Sequence, residues 1–317
     1  MTYKEKYREF CKKEKKIPIF SKDWWLDSVC GVDGWNVIII EKGGNIFASM
    51  PYVLTKRLGI VSIHQPILTQ TLGIYFNYPQ SQKYHKKLSF EKEMIKKIIK
   101  ELPKFDKFSQ SFNYKQTNLL PFHWGSFNVN VNYTYVIEYM SIEALEKNID
   151  TDVRKNRKKA NNLGVEIYET GDIKKFYILN EMSFKRQNRD MPYSYELIKN
   201  LYLKCQENNA VKIFFAKDRV GTVIAGNFLV YDDDTVYYLM GGINTDKKDL
   251  GGMDIIQIES IKFALESGRT FDFEGSMIES IEKYFRRFGA IQKPYFNISK
   301  TNSKLLMIRQ LFKEIIK

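Results

Sequence analysis

A short basic segment, DVRKNRKKANNLG, carries five cations within six consecutive residues, 154–159. On a helix, Arg154, Arg157 and Lys158 lie on one face, because they are spaced three and four residues apart. Like charges at these spacings destabilise an isolated helix by roughly 0.3 kcal/mol per pair. The face is therefore suited to a phosphate-bearing ligand, although a solvated basic face explains the same residues.

Two carboxylates in the segment FDFEGS are candidates for proton transfer. In a strand, successive side chains point to opposite faces, so Asp272 and Glu274 share one face and Phe271 and Phe273 share the other. Acids at the end of a strand beside a crossover lie where open α/β sheets bind ligands. Either acid could serve as a general base, or both could position an amine. Alternatively, one caps the next helix and the other pairs with an arginine such as Arg286.

A glycine pair in TDKKDLGGMDII precedes a predicted helix. Glycines let an anion approach the backbone, and the first N–H groups of a helix are unpaired donors with partial positive charge. Lys248, Gly251 and Gly252 are therefore candidates for a phosphate cradle. A glycine-rich turn that only caps the helix explains the segment equally well.

The sequence lacks the motifs that several other kinds of catalysis require. The three histidines are isolated in the sequence, so no metal site is predicted, and the three cysteines form no CxxC pair. GxSxG, Walker A and GxGxxG motifs are also missing. These observations argue against hydrolase, kinase and oxidoreductase activities. The isolated residues are His64, His85, His123, Cys11, Cys30 and Cys205.

The composition is typical of a globular protein with two domains. The chain has 317 residues, 44% hydrophobic and 15% aromatic, and a formal net charge of +13. This charge favours polyanionic partners, and peripheral contact with an anionic membrane remains open. The charged N-terminus has no secretory h-region and no window is apolar enough to span a bilayer, so we expect a cytoplasmic protein.

The elements that must position the candidate residues are predicted from periodicity. For the first half, the patterns predict a charged helix near residues 4–15, a hairpin around Gly43-Gly44, an irregular segment at 59–76 and an amphipathic helix that ends at Pro103. The second half reads as helices, three antiparallel strands, a crossover helix, the strand RTFDFEGS and a further helix. The crossover helix predicts that this strand is parallel to TVYYLMGGIN. A last amphipathic helix is predicted in SKLLMIRQLFKEIIK.

This order of elements, with FDFEGSMIESIEKYFRRFGA followed by KPYF, resembles the C-terminal half of double-GNAT proteins. These are the FemAB-like peptidyltransferases and the related BioF2-like acyltransferases. The basic segment is similar to the helix with which that family enters its second domain, and WWLDSV and MPYVLTKRLG are similar to its degenerate first domain. The resemblance implies an α+β fold of two tandem GNAT-like domains, residues 1–140 and 141–317, with mixed sheets flanked by helices.

The resemblance also implies an N-acyltransferase. The donor would be acyl-CoA or aminoacyl-tRNA, used as a co-substrate with no tightly bound cofactor, and the acceptor an amine, such as one on a peptidoglycan precursor or another cell-envelope metabolite. Met253 stands where the acetyl-CoA motif of the family has a second small residue, which weakens the acetyl-CoA version. The candidate residues are Asp272 and Glu274 for catalysis, Lys248, Gly251 and Gly252 for the donor, and Arg154, Arg157, Lys158 and Arg286 for the substrate.

One alternative belongs to a different class of function. A basic two-domain module could bind RNA or an anionic envelope precursor without catalysing a reaction. Such a module would tolerate Asp272→Asn and Glu274→Gln, whereas a catalyst would lose turnover and keep its fold.

Overall fold

The structure is a computed structural model, and it describes residues 1–308. The predicted C-terminal helix extends beyond this range, so its residues 309–317 lie outside the described part of the chain. The helices are α1 (Tyr3–Lys13), α2 (Asp23–Cys30), α3 (Tyr84–Glu101), α4 (Leu120–Trp124), α5 (Ile142–Asn148), α6 (Thr151–Asn162), α7 (Ile173–Arg186), α8 (Tyr195–Glu207), α9 (Gly252–Glu266) and α10 (Glu279–Arg286).

The strands alternate with these helices along the chain. They are β1 (Asn36–Lys42), β2 (Asn45–Arg57), β3 (Ile60–His64), β4 (Tyr75–Phe76), β5 (Lys107–Phe112), β6 (Asn128–Ile137), β7 (Glu166–Glu169), β8 (Val211–Lys217), β9 (Val223–Tyr231), β10 (Thr235–Ile243), β11 (Thr270–Asp272) and β12 (Ile291–Thr301). Within residues 1–308, no helix combines the length and the apolar character needed to cross a membrane.

Within the described residues, the first compact unit comprises Met1–Asn132 and residues 294–308. Its strands follow the order β1-β2-β3-β5-β12, and β4 also pairs with β2. Alternate residues of β1 enter different cores: Val37 and Ile39 pack with Tyr7 of α1, whereas Ile38 packs with Met94 of α3. Both faces of the sheet are therefore covered, which explains why the sequence of β1 is apolar at successive positions.

The second compact unit comprises Tyr133–Lys293. Its strands follow the order β6-β11-β10-β9-β8-β7, and α9 packs on β8 and β9. Helix α9 is buried over much of its surface, with Ile255, Ile256, Ile258 and Ile261 at most 4% exposed. Helix α6 also packs against α9. The start of α9 is thereby fixed relative to both β9 and α6.

The domains 1–140 and 141–317 stay a prediction, and the boundaries of the compact units lie at other positions in the chain. The division falls near residue 133, and the chain returns to the first unit at residue 294. The physical reason is backbone pairing, because β12 is hydrogen-bonded antiparallel to β5 from Phe296↔Phe112 to Thr301↔Lys107. Sequence patterns reveal a strand but not the distant strand with which it pairs.

Most predicted elements are present, and the predicted parallel pair is confirmed by the register Thr235↔Thr270 to Tyr237↔Asp272. The expectation of an irregular segment after residue 58 was wrong in part, because β3 pairs with β2 there as a hairpin. Its turn uses Leu58 at φ 50° and Gly59 at φ 79°. A leucine in the left-handed region is rare, so this turn carried no recognisable sequence signal.

Candidate active site

Strand β11 is short, and this leaves part of β10 without a β-strand neighbour on that side. β10 pairs with β11 only from Thr235 to Tyr237. Farther along, side chains of α7 bond the β10 backbone: Asn180 Nδ2 donates to the Gly241 carbonyl at 2.6 Å, and the Ile243 amide donates to Ser183 Oγ at 3.0 Å. The sheet therefore opens between β10 and β11, and helix side chains satisfy the exposed backbone groups.

Asp272 lies at this opening, at the end of β11. Its side chain is buried, with 4% of the residue exposed. Asp272 Oδ1 accepts hydrogen bonds from Thr134 Oγ1 of β6 at 2.5 Å and from the Glu274 amide at 2.8 Å. As the alternation predicts, Phe271 and Phe273 instead enter the core, with ring centroids 5.0 Å apart.

Glu274 is held in an unusual backbone conformation. It has φ 60°, and the next residue, Gly275, has φ 73°. A Cβ at Gly275 would lie 2.4 Å from the Tyr133 carbonyl oxygen, so only glycine fits there. Burial, with a smaller contribution from the nearby Asp272 carboxylate, raises the pKa of Glu274 well above its ordinary value. A buried acid in a left-handed conformation is a form of strain that clusters at functional sites.

The glycines at the start of α9 are required by packing. Gly251 has φ 76°, and a Cβ there would lie 2.8 Å from the Asn156 carbonyl oxygen of α6. A Cβ at Gly252 would lie 2.6 Å from Ile224 Cδ1 of β9. The close approach of α6 and β9 therefore explains both glycines without a ligand. No side chain caps α9 with a hydrogen bond to its first amides.

A buried polar cluster at the same place was not predicted from the sequence. Asn156 Nδ2 of α6 donates to Asp254 Oδ2 of α9 at 2.6 Å. Burial raises the pKa of Asp254, and burial together with the Asp254 charge raises that of Tyr284 on α10. The sequence signal that could have revealed this cluster is Asp254 itself, an acid two residues after the glycine pair in the first turn of a helix. This carboxyl occupies the end of α9 where a donor phosphate was expected.

Arg157 has a carboxylate partner within the protein. Its guanidinium donates two hydrogen bonds to Glu146 of α5, at 2.6 and 2.7 Å, and Lys262 lies 3.5 Å from the same carboxylate. This bidentate geometry satisfies the cation, so it favours a structural role for Arg157 over the predicted substrate contact.

The other predicted cations are exposed. Arg154 and Lys158 lie on the outer face of α6, and Lys248 lies in the 3-10 turn Thr245–Leu250 before Gly251. Arg286 is also exposed, and its Nε lies 3.5 Å from Glu282 Oε1 on the same helix. These four residues are accessible to a large anionic ligand.

The structure brings some predicted residues together and separates others. The basic helix α6 contacts Gly251 directly, whereas the neighbours of Gly252 are Ile224 and Ala216 of the sheet. The acids Asp272 and Glu274 belong to a different cluster, with Thr134. Phe273 connects the two clusters, because its ring centroid lies 5.8 Å from that of Phe288, which lies 5.1 Å from that of Tyr284. The predicted site is therefore two neighbouring polar clusters joined by an aromatic layer.

The second unit is similar to a known domain family. Residues 147–286 match the acetyltransferase (GNAT) domain family. The structure of FemX is similar, with a TM-score of 0.68 and 14% identity over 93% of this chain and 96% of FemX. L-PGS from Bacillus licheniformis is similar with a TM-score of 0.58 and 10% identity over 98% of this chain and 96% of that one. Comparison with curated proteins gives no match.

A third similar structure is the C-terminal domain of a putative lysylphosphatidylglycerol synthetase from Agrobacterium fabrum. Its TM-score is 0.55, with 10% identity over 94% of this chain and 92% of that one. The matches confirm the predicted resemblance to FemAB-like GNAT proteins and the fold class of mixed sheets flanked by helices. At these identities, the structural likenesses establish the fold only.

The raised pKa of Glu274 predicts a pH-dependent stability. The folded state binds this proton more tightly than the unfolded chain, so the stabilisation is complete below the ordinary carboxyl pKa and is lost as pH rises through the folded pKa. Glutamine cannot ionise. We expect the melting temperature of Glu274→Gln, relative to that of the unsubstituted protein, to increase between about pH 5 and about pH 9.

Scanning fluorimetry across this pH range measures the difference. Glu266→Gln, at the exposed end of α9, is the matched control and should show no such trend. If the difference in melting temperature between Glu274→Gln and the unsubstituted protein does not change with pH, the Glu274 carboxyl is not desolvated.

The bidentate pair predicts that Arg157→Ala destabilises the fold. We expect a loss of about 1 kcal/mol in the free energy of unfolding, because the pair is only partly exposed and doubly hydrogen-bonded. Arg154→Ala removes an exposed cation from the same helix and should be close to neutral. Urea unfolding of both variants, with Glu146→Gln and the double variant, measures the coupling, and additive effects would contradict the pairing.

Proposed function

We propose that the protein is an N-acyltransferase, because residues 147–286 match the acetyltransferase (GNAT) domain family. It moves an acyl or aminoacyl group from an activated, phosphate-bearing donor to an amine. The observation that carries this proposal is the buried acid pair Asp272 and Glu274 at the end of β11, beside the opening between β10 and β11. A raised-pKa carboxyl at a strand end is suited to accepting the proton of an attacking amine.

The proposed reaction is a direct transfer. The acceptor nitrogen attacks the donor carbonyl carbon and forms the new C–N bond. The bond from that carbon to the donor sulfur or oxygen breaks, and the leaving atom keeps the bonding electron pair and takes up a proton, which gives the thiol of CoA or a hydroxyl of tRNA. Glu274, when ionised, takes a proton from the nitrogen, and Asp272 keeps the Glu274 backbone in place through their 2.8 Å hydrogen bond. No covalent enzyme intermediate is needed, because the donor is already activated.

Two donors fit this chemistry, acyl-CoA and aminoacyl-tRNA. The first turn of α9 contains the Asp254 carboxyl, and a like charge there opposes a phosphate at these amides. The exposed cations Arg154, Lys158 and Lys248 lie outside that cluster and can bind phosphates along a larger surface. These features favour aminoacyl-tRNA, whose binding relies on many dispersed phosphate contacts.

The proposed acceptor is an amine on a peptidoglycan precursor or another cell-envelope metabolite. The fold similarity to FemX over 93% of the chain supports this class. Two of the other similar structures carry names that refer to lysylphosphatidylglycerol synthesis or to L-PGS, which also supports aminoacyl transfer to an envelope component.

A non-catalytic binding module is the second candidate. Two observations favour it. Packing explains Gly251 and Gly252, and Glu146 pairs with Arg157, so neither the glycines nor this arginine requires a substrate. The two candidate functions differ in one requirement: an acyltransferase needs the acid pair for turnover, whereas a binding module does not.

Replacing the acid pair tests the proposed catalysis. We expect Glu274→Gln to lower transfer at least about a hundredfold, the usual contribution of a general base, while the circular dichroism spectrum is retained. The assay incubates the protein with labelled aminoacyl-tRNA or acyl-CoA and UDP-linked peptidoglycan precursors and measures the labelled product. Glu266→Gln is the control. Full transfer by the Glu274→Gln variant would contradict the role of Glu274.

The surface cations predict how tRNA binds. We expect Arg154→Ala/Lys158→Ala to weaken tRNA binding and to reduce its salt dependence, because two phosphate contacts are lost. Fluorescence anisotropy at several salt concentrations measures both quantities. Lys174→Ala/Lys199→Ala, two lysines of the same unit outside α6, is the matched control. Equal effects of the two double variants would argue against a tRNA site on α6.

A further inference from the structure

Two large apolar side chains are exposed on α4 in the first compact unit. Trp124 is 56% exposed and Leu120 is 48% exposed, whereas Trp25 and Trp35 are buried in the same unit. Leu120 and Trp124 are four residues apart, so they project from the same side of the short helix. The opposite side is anchored in the core by Phe122, which is fully buried. The exposed pair is thus held on a rigid support.

A ridge of lysines on α3 borders this pair. Lys92 Nζ and Lys96 Nζ lie 5.8 and 5.3 Å from the centroid of the Trp124 ring. Lys100 is exposed and continues the ridge at the same spacing. We call Leu120, Trp124, Lys92, Lys96 and Lys100 the Trp124 surface.

Within the described part of the chain, the lysines of the Trp124 surface are not neutralised by neighbouring carboxylates. On the neighbouring ridge, Lys97 Nζ pairs with Glu93 at 2.6 Å. Among residues 1–308, in contrast, no carboxylate oxygen lies within 4.0 Å of the Lys92 or Lys96 ammonium group. Apolar side chains with unneutralised cations around them therefore form one patch.

The composition of the Trp124 surface matches a lipid–water interface. Tryptophan is enriched at that level of a bilayer, and clustered lysines are attracted to anionic headgroups. RNA is a poorer fit, because the lysines already lie over the face of the Trp124 ring and an exposed leucine adds nothing to phosphate or base contacts.

We propose that the Trp124 surface docks the protein on anionic lipid bilayers. Trp124 and Leu120 enter the interface, and Lys92, Lys96 and Lys100 contact lipid phosphates. This docking is independent of the proposed transfer reaction, because the Trp124 surface lies wholly in the first unit and the acid pair lies in the second.

Vesicle sedimentation tests the proposal with the full chain. The protein should bind vesicles of phosphatidylcholine with phosphatidylglycerol, should bind pure phosphatidylcholine much more weakly, and should dissociate at high salt. Tryptophan emission should shift to the blue on binding, and the shift should be lost in Trp124→Phe because the remaining tryptophans do not enter the membrane.

Substitutions separate the charged and apolar contributions. We expect Lys92→Glu/Lys96→Glu to reduce the partition coefficient for anionic vesicles by about thirtyfold or more. The matched control Lys13→Glu/Lys16→Glu makes the same change in net charge at exposed lysines of the same unit. Leu120→Ala/Trp124→Ala should also release the protein, whereas Val32→Ala, at an exposed valine elsewhere, should not.

Three results would overturn the proposal. The first is equal binding to neutral and anionic vesicles, and the second is equal loss of binding in the two charge-reversal variants. The third is a tRNA affinity that falls in Leu120→Ala/Trp124→Ala while vesicle binding does not, which would assign the Trp124 surface to RNA. Melting temperatures of all variants separate loss of binding from loss of folding.

Discussion

The left-handed backbone of Glu274 and Gly275 determines the geometry of the candidate site. A strand cannot continue through such residues, so β11 ends after three residues and β10 loses its neighbour beyond Tyr237. The sheet opens at that point, and Asn180 and Ser183 of α7 take over hydrogen bonds that a longer strand would have made. The same turn buries the Glu274 carboxyl beside Asp272, which raises its pKa. One local constraint thus ends β11 and buries the Glu274 carboxyl beside Asp272.

Close packing around α9 imposes a second constraint. Glycine is needed at 251 and 252 because α6 and β9 approach too closely for a side chain, and the Asn156–Asp254 hydrogen bond fixes the approach of α6. Cations that look equivalent in the sequence therefore differ in environment. Arg157 is neutralised by Glu146, whereas Arg154 and Lys158 face solvent. The solvent-facing cations Arg154 and Lys158, and the Trp124 surface of the first unit, are the sites at which we propose that anionic partners bind.

Much of the fold could be predicted from local patterns. Period-two and period-3.6 alternation located most strands and helices, and the crossover helix α9 correctly implied the parallel pairing of β10 with β11. Patterns failed where pairing is distant or a turn is unusual. The hairpin turn at Leu58 gave no glycine or asparagine signal at its first position, and β12 returns to the first unit to pair with β5.

The sequence by itself determined the residue types of the candidate site: the acids Asp272 and Glu274, the glycine pair at the start of α9 and the basic face of α6. It did so because each of these features lies within one short segment of the chain. Only the tertiary structure decided which charges are satisfied. Burial, the Arg157–Glu146 pair and the Asn156–Asp254–Tyr284 cluster arise from contacts between elements far apart in the chain. Electrostatic environment depends on such contacts, and no local pattern encodes them.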